Sequence, residues 1–294
     1  MNNSKQMKGI LYLVLSASSF GIMPVLAKLA YKQSINTYGL LFLRFLFATI
    51  MLGIYLLKNN ISFKITIKQF LLIMFISIFG YSLTSITLFS SYNYISVGLA
   101  TMILYTYPVI VTILSFILYK ERVDKEKIIS LLFCLLGVYT LVSIKNTNFN
   151  MKGILLAFLA SLFFSLYVIG VSNKLIEKID SYVITFYMSM IANVVVLLIG
   201  IGTKSLKLTI NFYSFICIVL LAFISTIVAL MTFIKGVKIV GPSKASIFST
   251  LEPIVSLILG IIVLREPLTV NIIIGSILIV LSISILFRKS STSI

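Results

Sequence analysis

The chain carries one sequence pattern twice. The stretches 96–122 and 241–267 align without gaps, so that Pro108 and Pro253 lie 145 positions apart. The other aligned residues of the two stretches keep this same offset. A chain with such a repeat is constrained to fold into two structurally related halves.

The starts of the two halves match as well. The pentapeptide MKGIL occurs at 7–11 and returns at 151–155. We therefore predict two repeats, 1–146 and 147–294, with Lys145 to Asn150 as the join between them.

The amino-acid composition indicates whether the chain folds in water or in a lipid bilayer. Of the 294 residues, 60% are hydrophobic and 11% are charged, and the mean hydropathy is +1.16. Apolar segments of about 20 residues are long enough to cross a bilayer, and a soluble domain of this size would have more polar surface. The net charge of +17 comes from lysines in short connections, where they set membrane topology. The sequence therefore predicts a polytopic protein whose partner is the lipid bilayer, and no nucleic-acid partner.

The apolar segments predict an all-α integral membrane protein with ten transmembrane helices, arranged as two inverted five-helix repeats. The predicted spans are 9–31, 37–57, 69–92, 96–119, 126–144, 151–173, 182–202, 212–234, 243–264 and 270–287. Because each half has five spans, the second half must enter the membrane from the side opposite to the first.

The basic residues predict the orientation. With both termini in the cytoplasm, sixteen basic residues lie inside, seven lie outside and Arg44 falls within a span. The inside set is Lys5, Lys8, Lys58, Lys64, Lys68, Lys120, Arg122, Lys125, Lys127, Lys174, Lys178, Lys235, Lys238, Lys244, Arg288 and Lys289. The positive-inside rule then favours cytoplasmic termini, in a plasma (inner) membrane of bacterial type.

Each half has a span with a proline in its middle, then a basic and an acidic residue, then another apolar span. The residues are Tyr107-Pro108 and Lys120-Glu121 in the first half, and Leu251-Glu252-Pro253 and Arg265-Glu266-Pro267 in the second. This pattern resembles the EamA-type family of drug/metabolite transporters. The resemblance implies a central cavity lined mainly by the first, third and fourth helices of each half.

The two halves also differ at the aligned positions. Tyr107 stands in the first half where Glu252 stands in the second, and the loop after Glu121 lacks the proline that follows Glu266. Any function of Glu252 is therefore asymmetric.

Glu252 is the sharpest candidate for a substrate-binding residue. It is the one acidic residue well inside a predicted span, and about nine residues of helix place it near the membrane middle. A carboxylate there is costly, so it should face the bundle interior, where it recognises a substrate amine or exchanges a proton. Ser249 and Ser256 share its helical face. The competing interpretation is a buried glutamate that is hydrogen-bonded beside the Pro253 kink.

Polar residues on the other expected cavity helices are weaker candidates. They are Ser16 and Ser19 in the first span, Tyr81 and Thr84 in the third, Tyr107 in the fourth and Ser165 in the sixth. Hydroxyl groups also serve helix packing. Arg44 and the prolines Pro108 and Pro253 are expected to be structural, since the second span should lie at the periphery of the cavity, although Arg44 could also bind a substrate carboxylate.

These features favour a secondary transporter of small metabolites such as amino acids or related amines, and export is the expected direction. A multidrug or organic-cation transporter of the same fold is the alternative, ahead of a membrane scaffold. An intramembrane enzyme is disfavoured because the chain has no histidine and no cluster of catalytic residues. We expect no cofactor and no metal. A protonatable Glu252 leaves proton coupling open, and the oligomeric state stays open too.

Overall fold

Helices are the one kind of regular secondary structure in the part of the chain that the structure describes. The structure is a computed structural model that describes residues 3–31, 35–91, 94–95, 100, 103–121, 123–141, 150–264 and 270–292. The predicted join at 145–149 and the residues Arg265, Glu266 and Pro267 lie outside the described residues. Within those residues the all-helical prediction holds.

The helices follow one another with short connections. The first half contains α1 (Asn3–Gly21), α2 (Met23–Tyr31), α3 (Thr37–Lys58), α4 (Ile67–Phe75), π1 (Ile76–Ser82), α5 (Leu83–Ser91), α6 (Tyr107–Tyr119) and α7 (Lys125–Leu141). The second half contains α8 (Met151–Val171), α9 (Lys174–Glu177), α10 (Ser181–Gly202), α11 (Phe212–Ala222), π2 (Phe223–Val228), α12 (Ala229–Val240), α13 (Pro242–Phe248), α14 (Leu251–Leu264) and α15 (Val270–Thr292).

Seven helical stretches among the described residues are long and apolar enough to cross a membrane. They are Ser4–Tyr31, Thr37–Lys58, Ile67–Ser91, Met151–Val171, Ser181–Gly202, Phe212–Val240 and Pro242–Val263. Tyr107–Tyr119 and Ile273–Ile285 are shorter apolar helices. Such lengths and compositions make this a multi-pass membrane protein. The count of ten spans stays a prediction.

Two of the predicted spans are interrupted in their middle, where the sequence predicted continuous helices. In the fourth span a turn at Tyr105 and Thr106 precedes α6, and in the ninth a turn at Ser249 and Thr250 precedes α14. A proline follows each turn within the first residues of the next helix. Proline lacks a backbone N–H and fits the first turn of a helix, where no intrahelical acceptor is available, so both helices restart at these points.

The third stretch of each half carries a π-helical segment. Tyr81 lies in π1 and Thr226 in π2, and these residues are 145 positions apart, the spacing of the repeat. In each segment a hydroxyl group donates to a carbonyl five residues earlier: Ser82 to Ser77 at 2.8 Å and Thr226 to Leu221 at 3.3 Å. Because π-helical turns are rare and concentrate at functional sites, their recurrence in both halves draws attention to the region between them.

Close packing between α1 and α12 joins the two halves. A Cβ atom on Gly236 would come within 2.5 Å of the Leu13 side chain, and one on Gly9 would come within 2.7 Å of Ile239. Small residues at such crossings let helix backbones approach, which is how membrane helices gain van der Waals contact. Ser16 adds a hydrogen bond across the same contact, from its hydroxyl to the Ala229 carbonyl at 2.8 Å.

We expect Gly236→Val to destabilise the protein by about 1 to 3 kcal/mol, because the added methyl groups overpack the contact with Leu13. Thermal unfolding in detergent micelles measures this effect. Gly202→Val is the matched control, since no heavy atom lies within 4 Å of the Cβ position at Gly202. Equal stability of the two variants would show that the α1 and α12 contact is not tight.

Candidate functional site

A small cavity lies between the two halves in the membrane region. Its volume is about 70 Å³, which is room for roughly five water molecules. The residues that line it are Phe20, Met23, Arg44, Tyr81, Thr84, Ser85, Leu88, Phe89, Leu104, Tyr105, Tyr107, Phe164 and Glu252. They come from the first, second, third, fourth, sixth and ninth predicted spans. The cavity therefore combines an apolar and aromatic wall with one guanidinium group and one carboxyl group.

Arg44 lies on this cavity, so the expected peripheral position of the second span does not hold at this residue. Its side chain is 2% exposed and is held by three oxygen acceptors. The Nε atom donates to the Thr226 hydroxyl at 2.6 Å, and Nη2 donates to the Ser225 carbonyl at 2.8 Å and to the Tyr81 hydroxyl at 3.1 Å. Arg44 thus links π1 of the first half to π2 of the second.

Glu252 lies in the first turn of α14, directly after the turn that interrupts the ninth span. The exposed amide groups and the dipole of a helix N-terminus favour a carboxylate at this place. Its side chain is partly accessible and lines the cavity, and the Tyr105 hydroxyl lies within hydrogen-bonding reach of it. Among the described residues, neither Glu252 nor Arg44 forms an ion pair within 4.0 Å. The guanidinium group of Arg44 and the carboxyl group of Glu252 therefore face one cavity without a direct ion pair.

The other predicted site residues divide into two groups. Tyr81, Thr84 and Tyr107 line the cavity together with Glu252. Ser16, Ser19, Ser165, Ser249 and Ser256 do not line it.

Backbone hydrogen bonds account for most of these serines. Ser165 donates to the Ser161 carbonyl at 2.8 Å and Ser249 to the Ala245 carbonyl at 3.0 Å, while the backbone carbonyl of Ser19 accepts from the Ser225 hydroxyl at 2.9 Å. A serine that bonds a carbonyl four residues earlier satisfies its own hydroxyl inside a helix.

Pro108 and Pro253 occupy corresponding positions in the two halves. Both are buried in the first turns of α6 and α14. They mark the helix starts that bring Tyr107 and Glu252 to the cavity.

Sequence reasoning did not select the apolar wall. Phe20, Met23, Leu88, Phe89, Leu104 and Phe164 line the cavity, and Ser85 completes its polar part. In a chain that is 60% hydrophobic, no local pattern separates an apolar residue that faces a cavity from one that faces lipid.

A layer of aromatic side chains borders the cavity on one side. We call Tyr107, Phe164, Tyr167 and Phe233 the aromatic layer. Ring centroids are 4.7 Å apart for Tyr107 and Phe164, 5.4 Å for Phe164 and Tyr167, and 5.5 Å for Tyr167 and Phe233. Such offset and edge-to-face contacts are favourable beyond the area that they bury.

A wider cleft of about 510 Å³ lies on the other side of this layer. Its wall includes Ser172, five residues after Tyr167, and Val237, four residues after Phe233. At 1.5 Å per helical residue, the cleft begins about 6 to 8 Å beyond the aromatic layer. The cleft is also lined by charged residues, namely Glu121, Lys174, Glu177, Lys238 and Lys244. The aromatic layer therefore lies between the cavity and the cleft.

Glu121 is held locally at the mouth of this cleft. Its Oε1 atom accepts from the Lys127 ammonium group at 2.7 Å. Lys120 ends α6 in the left-handed conformation, with φ of 52°. Lys120 and Glu121 thus make local contacts at the end of α6.

A model of one protein family matches the chain twice, over residues 7–143 and again over residues 151–288. The chain belongs to the EamA-like transporter family. The EamA resemblance seen in the sequence is thereby confirmed, and the two matches agree with an internal duplication.

Relatives of this EamA protein are named as transporters. A protein of Archaeoglobus fulgidus named an uncharacterized transporter is 29% identical over 289 residues, which cover 96% of this chain and all of the relative. The uncharacterized transporter YvbV of Bacillus subtilis is 28% identical over 202 residues, or 67% of this chain and 65% of the relative. A protein of known crystal structure shares the fold, with a TM-score of 0.83 and 16% identity over 99% of each chain.

The aromatic layer generates a prediction for this EamA protein. The Tyr167 hydroxyl is buried and has no hydrogen-bond partner among the described residues, whereas the Tyr107 hydroxyl donates to the Ser246 carbonyl at 3.1 Å. An unsatisfied buried hydroxyl costs about 1 to 3 kcal/mol. Tyr167→Phe should therefore leave stability unchanged or raise it, while Tyr107→Phe should lower it by about 0.5 to 1.5 kcal/mol.

Unfolding of the two variants in the same detergent compares these costs directly. If Tyr167→Phe loses as much stability as Tyr107→Phe, its hydroxyl has a partner in the membrane. That result would show that a hydrogen bond, and not ring contacts alone, holds Tyr167 in the layer.

Proposed function

We propose that this protein is a secondary transporter that exports small metabolites such as amino acids or related amines across the plasma membrane. The observation that carries the proposal is the cavity itself. It places Glu252 and Arg44 between two related halves and is separated from a wider cleft by the aromatic layer. A membrane protein with no transport role has no need of such costly charges in an internal cavity.

The proposed mechanism is alternating access. Two inverted five-helix repeats, 1–146 and 147–294, would rock about a site at the membrane middle, so that the site opens to one side at a time. The interrupted helices α6 and α14, whose N-termini lie at the cavity, are typical of this class. Membership in the EamA-like family supports the same mechanism.

The proposed direction follows from the position of the cleft. Its residues Lys174, Lys238 and Lys244 belong to the set that the positive-inside rule places in the cytoplasm. The cleft is thus the proposed entry from the cytoplasm. A carboxylate at Glu252 that exchanges a substrate amine for a proton would couple export to an inward proton gradient.

The proposed orientation is testable by cysteine labelling. In a protein with Cys134→Ser and Cys217→Ser, Ser62→Cys lies in a cytoplasmic loop and Thr209→Cys in an external loop. A membrane-impermeant maleimide should label Thr209→Cys in intact cells and Ser62→Cys only after the membrane is opened. Both positions are exposed, so the reverse labelling pattern would overturn the orientation.

Glu252→Gln and Glu252→Ala should reduce transport by at least about tenfold between pH 5 and 8, since both remove the charge that recognises an amine or carries a proton. The assay is counterflow in proteoliposomes, loaded in turn with pooled amino acids, sugars, nucleosides or organic cations. Glu126→Gln is the matched control, because Glu126 lies at the start of α7 and lines neither the cavity nor the cleft.

Two results would count against the proposal in different ways. Normal flux by both Glu252 variants at every pH would remove the ionic and proton roles of Glu252 while transport stands. No saturable uptake of any class by folded, inserted wild-type protein would refute transport by this chain alone.

A further inference from the structure

Lys235 is half-buried on α12, which packs against both α1 and α10. Its ammonium nitrogen lies 4.8 Å from the centre of the Tyr182 ring on α10 and 5.6 Å from the centre of the Tyr12 ring on α1. Contact with two ring faces holds a cation in place but supplies no oxygen acceptor. Among the described residues this ammonium group forms no hydrogen bond and no ion pair. Lys235 is therefore positioned with its capacity for a strong acceptor unused.

The surroundings of Lys235 place it near one end of the membrane helices. Tyr182 is the second residue of α10, and Tyr55 lies three residues before the end of α3, with the two ring centroids 4.7 Å apart. Lys235 itself lies five residues before the end of α12, or about 7.5 Å along the helix axis. Tyrosine is enriched at this level, where the hydrocarbon region meets the water. The ammonium group of Lys235 therefore lies close to the depth of the lipid headgroups.

Two more lysines lie one helical turn closer to the water. Lys8 precedes Tyr12 by four residues on α1, and Lys58 follows Tyr55 by three residues on α3. Residues at these spacings share one face of a helix. Both lysines are exposed. We call this set the interfacial site, and its residues are Lys8, Tyr12, Tyr55, Lys58, Tyr182 and Lys235.

One carboxylate lies beside the interfacial site. Asp180 is the N-cap of α10, and its Oδ1 atom accepts from the backbone N–H of Tyr182 at 2.8 Å. This hydrogen bond commits the carboxylate to the helix end. Three ammonium groups against one carboxylate leave the region with a net positive charge, which attracts anions.

We propose that the interfacial site binds the headgroup of an anionic phospholipid. The lipid phosphate accepts hydrogen bonds from Lys235, while Lys8 and Lys58 contact the headgroup from the water side. The acyl chains then lie against exposed apolar residues deeper on the same helices, among them Leu15 of α1. Basic pockets between membrane helices are a recurrent way to hold anionic headgroups. The proposal depends on the location of the site in the membrane and not on what the protein transports.

The depth of Lys235 favours a lipid phosphate over a free phosphate ion. A dissolved anion would have to give up its hydration to reach a half-buried group about 7.5 Å below the helix end, and such desolvation is costly. The phosphate of a lipid already lies at this level of the membrane. Its acyl chains add apolar contacts that a free anion does not have.

The interfacial site also contains residues of both halves. Tyr12 and Tyr55 belong to the first matched segment of the family, and Tyr182 and Lys235 belong to the second. A lipid bound there contacts both segments at once. Because it binds the folded protein and not the unfolded chain, it should raise the stability of the folded protein.

The test measures lipid binding to the purified protein in detergent. Native mass spectrometry counts retained lipids, and thermal unfolding measures their effect on stability, with phosphatidylglycerol as the anionic probe and phosphatidylcholine as the zwitterionic one. We expect the wild type to retain phosphatidylglycerol in preference and to unfold at a higher temperature in its presence. Lys235→Gln should weaken the retention of phosphatidylglycerol by about fivefold, as expected for one lysine near a charged membrane surface, and Lys235→Arg should keep most of it.

Lys152→Gln is the matched control. Lys152 also lies over a tyrosine ring, that of Tyr94 at 4.9 Å, but it has this one ring contact and belongs to the start of α8. This variant loses the same charge and the same kind of contact elsewhere on the molecule, so it should retain phosphatidylglycerol as the wild type does. The double variant Lys8→Gln/Lys58→Gln changes two exposed side chains, and it tests the site independently if Lys235→Gln does not fold.

Four outcomes would overturn the proposal. The first is equal retention of the two lipids by the wild type. The second is unchanged retention of phosphatidylglycerol by folded Lys235→Gln protein or, where that variant does not fold, by the double variant. An equal loss in Lys152→Gln would show that the overall positive charge of the protein attracts the lipid. Stabilisation by glycerol phosphate as strong as that by phosphatidylglycerol would show an anion site that needs no lipid.

Discussion

The hydrogen bonds of one buried arginine fix how the two halves meet. Arg44 donates to Tyr81 in the first half and to Ser225 and Thr226 in the second, at 2.6 to 3.1 Å. A guanidinium group in the bilayer region costs several kcal/mol unless such acceptors surround it, so π1 and π2 must stay within reach of it. The π-helical turns change the register of the third helix in each half and bring these acceptors to Arg44. The cavity lies beside this cluster, where a charge is already stabilised.

The duplicated backbone also gives the site two equivalent positions with different chemistry. Turns at Tyr105-Thr106 and at Ser249-Thr250 interrupt corresponding spans, and each is followed by a helix whose first turn faces the cavity. In the first half that turn presents Tyr107, which donates to the Ser246 carbonyl of the other half. In the second half it presents Glu252, the carboxylate of the cavity. A symmetric frame thus holds an asymmetric pair of groups.

The sequence predicted the membrane helices from the local composition. It predicted the duplication from the constant spacing between matching residues. It also selected Glu252, because a carboxyl group in the middle of an apolar span can be recognised without knowledge of the fold. It could not separate Ser165, which bonds a carbonyl of its own helix, from a serine that faces the cavity, because both have the same residue type and spacing. The sequence predicted a peripheral position for Arg44 because its acceptors Ser225 and Thr226 lie more than 180 positions away in the chain. The location of these acceptors also depends on a π-helical turn, which the periodicity of the sequence does not reveal.

The hydrogen bonds of Arg44 and the ring contacts of the aromatic layer differ in how easily they could change during the proposed transport cycle. Opening the molecule at Arg44 would break several hydrogen bonds at once. The charge of Arg44 would then be exposed or left without acceptors. The aromatic layer is held mainly by ring contacts, with the Tyr107 hydroxyl as its polar link, and Tyr167 adds a hydroxyl that has no partner among the described residues. Ring contacts are non-directional enough to be exchanged for new ones at small cost. In the proposed cycle the path between cavity and cleft would therefore open through the aromatic layer, while the hydrogen bonds of Arg44 would stay in place.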